Sequence, residues 1–132
     1  MSLDPLLEEA RTLFGAFLPE DLASRFSELL SRDPKRWSKI DPWRVWEHID
    51  SEVISEWKQS AQALLATPAF SHHASAEVTV LRCGHERPKV ERLPLVQALV
   101  GDSSVFEGFI SVVPGKLAVA INHDGMLCVL HR

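Results

Sequence analysis

Apolar positions change their period partway along the chain. Three- and four-residue steps run to about residue 66, and two-residue alternation takes over from about residue 77. Leu6, Leu7, Ala10, Leu13, Phe14 and Phe17 recur at helical spacing behind Asp4-Pro5, where Asp accepts from free N–H groups and Pro needs no donor in the first turn. Pro19 stops that helix and opens a second with the stripe Leu22, Phe26, Leu29 and Leu30, and Glu20 and Asp21 suit its positive end. The Asp-Pro signal repeats at Asp33-Pro34 and Asp41-Pro42. After Pro42, positions Trp46, Ile49, Val53, Trp57, Ala61, Leu64 and Leu65 keep helical steps. They predict one long helix to about Ala66, kinked near Asp50 and closed by Thr67-Pro68, with residues 67–76 as a connecting loop.

Glu77 to Cys83 alternates as a strand, Gly84 to Pro88 is turn chemistry, and Pro94 to Val100 reads as a short helix with Leu95 and Leu99 inward. A three-strand meander follows over residues 105–113, 117–123 and 126–131, joined at Pro114-Gly115 and Asp124-Gly125. Asp-Gly favours a type I′ hairpin turn, whereas Pro-Gly prefers a type II turn that fits a tight hairpin poorly. As two-residue loops, these turns set Ile110 opposite Val119, Val112 opposite Leu117, Val119 opposite Leu130 and Ile121 opposite Cys128. One sheet face is then a core face of Phe106, Gly108, Ile110, Val112, Leu117, Val119, Ile121, Cys128 and Leu130. The other is small and mixed: Glu107, Phe109, Ser111, Ala118, Ala120, Asn122, Leu127, Val129 and His131. The pattern predicts an α+β fold over residues 1–132 as a single domain, a helical half (about 1–66) packed on a C-terminal antiparallel meander (β half about 77–132).

Composition is ordinary for a globular chain, 45% hydrophobic and 24% charged. The charge is not evenly spread: residues 1–76 hold 12 acidic and 8 basic side chains, and residues 77–132 hold 6 of each. A net −4 confined to the helical half argues against a phosphate backbone as partner and suits a basic protein partner. No run approaches the ~18 apolar residues of a membrane span, and no basic region precedes an apolar one at the N-terminus. The expectation is a cytoplasmic protein that binds neither membrane nor nucleic acid, with Cys83 and Cys128 as reduced thiols.

Cys83, His85, Cys128 and His131 match no zinc spacing, and Cys128 and His131 point to opposite faces of a regular strand. Cys83, His123 and Asp124 supply the residue types of a thiolate, a base and an orienting group, but Asp124 is also what the hairpin turn demands. The glycines form no phosphate-cradling motif. The reading is therefore a non-catalytic protein without metal or cofactor. A small enzyme using Cys83, His85 or His123 is the competing reading, and a homo-oligomeric adaptor or structural subunit is another. A homodimer would form through the mixed sheet face or an edge strand.

All four tryptophans fall between residues 37 and 57. Trp46 and Trp57 fit the buried stripe. Trp37 and Trp43 sit at or between helix starts, beside Arg36 and Arg44, and these are the residue types that dominate protein interfaces; packing beneath a loop is the alternative. Candidate binding residues are Trp37, Trp43 and Arg44, together with Asp50, Glu52 and Glu56 on the long helix.

The segments Ser31–Trp43 and Phe106–Arg132, especially Glu107-Gly108-Phe109-Ile110 and Ile121-Asn122-His123-Asp124-Gly125, give the chain its likeness. It resembles the immunity proteins with which bacteria neutralise secreted toxin domains. The resemblance covers under a third of the chain and transfers no functional residue. It implies a stoichiometric inhibitor that binds one cognate toxin and blocks its active site or substrate entry.

Overall fold

Asp4-Pro5 and Pro19 do open the first two helices, α1 (Asp4–Phe17) and α2 (Glu20–Leu30), in the computed structural model. It describes residues 4–32, 34–40, 48–49, 52–58, 60–83, 89–100, 107–121 and 126–132. Pro19 takes φ −57° and ψ 152°, an extended geometry that breaks one helix and begins the next. Of the Asp33-Pro34 signal, Asp33 lies outside the described residues and Pro34 opens a short 3₁₀ helix (Pro34–Lys39). The start expected at Asp41-Pro42 lies outside the described residues.

The long helix expected up to Ala66 does not form as such. Among the described residues of that stretch, Ile54–Lys58 is a strand, β1, and only Ala61–Leu65 is helical, as α3 with the Ser60 hydroxyl accepting from the Ala63 N–H at 3.1 Å. α3 does end before Thr67-Pro68, with Ala66 as its C-cap, but the same dipeptide also starts a helix: α4 (Pro68–Ser71) has Pro at its first position, inside a stretch expected to be loop. β2 (Glu77–Arg82) follows, then β3 (Lys89–Pro94), which no expectation covered, then α5 (Leu95–Val100). The meander is β4 (Gly108–Val113), β5 (Leu117–Ile121) and β6 (Leu127–His131).

The strands form one antiparallel sheet in the order β1-β6-β5-β4-β2-β3, so the fold is α+β. The β4–β5 hairpin has the expected register from Gly108↔Ile121 to Ser111↔Ala118. A shift between Ser111 and Val113 then places Val113, not Val112, opposite Leu117. The cause is the turn: Gly115 has φ +72° behind Pro114, and the Lys116 N–H donates to the Val113 carbonyl at 2.9 Å, as in a type II turn. One extra residue in the strand reconciles that turn's twist with the hairpin.

The β5–β6 register differs by one residue from expectation, with Val119 opposite Val129 and Ala120 opposite Cys128. Because side chains alternate, this exchanges the faces of β6. Cys128 and Leu130 join Leu81, Phe109, Ala118 and Ala120 beneath α1 and α2, while Leu127 joins Val80, Ile110, Leu117, Val119 and Ile121 on the opposite face, where Leu64, Phe70, Leu95 and Ala98 cover them. Both faces are therefore cores. The expected mixed face is the one that receives the long helices, because Ser111, Ala118 and Ala120 are small enough to admit Phe14, whose ring meets Phe109 and Phe26 edge-on at 5.3 and 5.4 Å. That burial removes the mixed face as a dimer surface. Among the described residues, no helix is long and apolar enough to cross a membrane.

Candidate functional site

The 3₁₀ helix decides the position of the first candidate tryptophan. Three residues per turn put Trp37 and Ile40 on the same side, and both are buried, at 3% and 0% exposure, while Arg36 and Lys39 point outward. Trp37 is thus a core residue and not an exposed interface aromatic. Its indole Nε1 finds no acceptor among the described residues. Trp43, Arg44 and Asp50 lie outside the described residues.

Glu52 and Glu56 do not share a helix face. Glu52 precedes β1, is exposed, and its Oε2 lies 3.0 Å from Nη1 of Arg132. Arg132 also donates through Nε to the carbonyl of Ala16 in the last turn of α1, a cation at the helix's negative end. Glu56 belongs to β1, and its carboxylate meets Nζ of Lys58 at 2.9 Å on the same strand face. A charged residue read as part of a solvated helix is therefore part of a sheet edge.

Both thiols are buried. Cys83, which directly follows β2, and Cys128 of β6 lie on the sheet face beneath α1 and α2, with β4 and β5 between β2 and β6. Burial pushes the Cys128 thiol up to about 12, partly opposed by a backbone hydrogen bond at Glu56. A buried thiol of that kind behaves as a small hydrophobe. His85, His123 and Asp124 lie outside the described residues. Among the described residues, no three His, Cys, Asp or Glu side chains converge as metal ligands would.

Two polar features escaped sequence reasoning. Arg92 on β3 donates to the Thr79 hydroxyl at 3.0 Å and to the Glu77 carbonyl at 3.1 Å, and it approaches the Glu9 carboxylate at 3.6 Å, tying α1 to the β2–β3 edge. The alternation of Val90 with charged residues was the available signal. A solvent-open groove of about 450 Å³ also runs between α1 and α2, lined by Arg11, Gly15, Leu18, Glu20, Ala23, Ser24 and Ser27. Its lining mixes one cation, one carboxylate and small side chains, a surface suited to weak contact rather than to enclosing a ligand.

No family model matches the chain, and neither a curated protein nor a solved structure shows significant similarity to it.

Proposed function

We propose that the protein is a non-catalytic binding protein, in its most specific form an immunity-type inhibitor that neutralises a cognate secreted bacterial toxin by stoichiometric binding. The observation that carries this reading is where the charge sits: the whole net −4 falls in residues 1–76, where Glu20 and Asp21 are exposed in the first turn of α2, and Glu8, Glu28, Glu52 and Glu56, though each meets a basic side chain, keep side-chain exposures from 62% to 78%. Such a surface steers a basic partner toward encounter, while desolvated aromatic and arginine contacts set how long the complex lasts. Packing on both sheet faces supports the same reading, since it leaves the outer surface to do the binding. Trp43, Arg44, Asp50, Glu52 and Glu56 remain the proposed contact residues, and Trp37 is withdrawn. The rival reading, a thiol enzyme, is weakened by the burial of Cys83 and Cys128 among apolar side chains.

The test is co-expression with a toxin encoded beside this chain in a bacterial host. Rescue of growth and a one-to-one complex are expected. Association should slow as salt rises and should slow further on Glu52→Lys with Glu56→Lys. No rescue and no complex would overturn the proposal, as would turnover of a small substrate that Cys83→Ala abolishes in a folded protein.

A further inference from the structure

We infer that β1 is a self-pairing edge, through which two copies of the chain join their sheets antiparallel about a two-fold axis at Trp57. Among the described residues the sheet ends in β1 on one side and β3 on the other. β3 is guarded: it carries Lys89, Glu91 and Arg92 and finishes in Pro94, which has no N–H to offer a neighbour. β1 has no proline, and its two charges, Glu56 and Lys58, already neutralise each other at 2.9 Å on one face. Opposite charges two residues apart on one face become self-complementary when the strand meets its own copy antiparallel.

A two-fold axis normal to the sheet keeps like faces on the same side, so only residues of equal parity can oppose each other. Centred on Trp57, the pairing sets Glu56 against Lys58 of the second copy, and Lys58 against that copy's Glu56. Centred on Glu56, it would set carboxylate against carboxylate, which is unfavourable directly across strands. Charge complementarity therefore selects both the occupant, a second copy, and the register. Five residues of edge and two ion pairs make a reversible dimer that follows concentration rather than a permanent one.

Sedimentation equilibrium of the full chain across the micromolar range should show a mass rising from monomer toward dimer. Glu56→Lys and Lys58→Glu should each weaken self-association about tenfold, as attraction turns to repulsion at two cross-strand pairs. Mixed together, the two variants should associate again, because every cross-strand pair is then one cation and one anion. A monomer at all concentrations overturns the inference and leaves the edge to some other strand. A dimer indifferent to both variants overturns it too, as does a mixture that fails to recover. Should either charge variant fold poorly by circular dichroism, Glu56→Cys mixed with Lys58→Cys gives an independent reading. Oxidation should favour the mixed disulfide over either symmetric one, and no preference refutes the register.

Discussion

Replacing Gly108 by Ala should destabilise the protein by about 2–4 kcal/mol, although the change adds one methyl group. Gly108 begins β4 between Arg82 of β2 and Ile121 of β5. A Cβ there would stand 2.0 Å from the Leu81 carbonyl oxygen, 3.1 Å from that carbonyl's carbon and 3.2 Å from the Arg82 Cα. Ordinary carbon–oxygen contact is more than ~1 Å longer than that first distance. All three obstacles are main chain, so no side chain can rotate away, and β2 and β4 must separate. One or two ladder bonds are lost at ~0.5–1.5 kcal/mol each. Leu81 and Phe109, both in the core beneath α1, are displaced, which costs a further ~1–3 kcal/mol, the usual range for overpacking. For a chain of this length the fall in melting temperature is roughly 10 °C. Urea and thermal melts measure it, with Gly15→Ala as the control: that position in α1 has nothing within 4 Å of an added Cβ, so Ala should gain ~0.5–1 kcal/mol from helix propensity. A Gly108→Ala protein melting within about 2 °C of the wild type would refute the close approach of β2 and β4.

Three further outcomes follow from the packing and the charges. Phe14→Ala should cost about 3–5 kcal/mol in chemical denaturation, since the ring is fully buried and meets both Phe26 and Phe109. Arg132→Ala should cost ~1–2 kcal/mol through loss of its bond to the Ala16 carbonyl. By contrast, Glu52→Gln, which keeps the side chain's shape and removes the charge from an exposed ion pair with Arg132, should stay within ~0.5 kcal/mol. The Cys128 thiol, raised from its ordinary 9.0 to about 12, stays protonated in the fold at a pH where the unfolded thiol ionises. Its contribution is therefore complete below about pH 9 and declines as pH rises toward 12. Paired urea melts at about pH 8 and about pH 10 should show that decline in the wild type and lose it in Cys128→Ala; equal slopes would refute it.

Much of the fold was legible because local and tertiary demands agree. Asp4-Pro5, Pro19 and the stripes of α1 and α2 describe helices that the core then uses on the side predicted. β1 was not legible for a geometric reason: every fourth residue is common to a helix face and a strand face, so Ile49, Val53 and Trp57 satisfy both periods. Only the intervening residues distinguish them, and Ser55, Glu56 and Lys58 are polar in either case. What settles the matter is non-local, the ladder from Ile54↔His131 to Lys58↔Leu127. The acidic site inherited the same ambiguity, since Glu52 and Glu56 align on a helix but not across the start of a strand. Trp37 was misread because a 3₁₀ turn has a period of three, which its six residues are too few to announce.

The register of β6 shows how little it takes to exchange two cores. Asp124-Gly125 suggests a two-residue turn, yet Ile121 pairs with Leu127, which leaves five residues in the connection. A shift of one residue sends Cys128 and Leu130 to the α1–α2 face and Leu127 to the other. Both alternatives bury apolar side chains, so hydrophobicity alone does not choose between them. Shape does: Ala118 and Ala120 sit opposite Leu130 and Cys128, which keeps that face shallow enough for Phe14 and Phe17, both fully buried. The larger Leu117, Val119 and Ile121 pair with His131, Val129 and Leu127, and among the described residues the helices that meet them are the short α3, α4 and α5. With bulk on one face and small residues on the other, the sheet has one arrangement that accepts fourteen-residue α1.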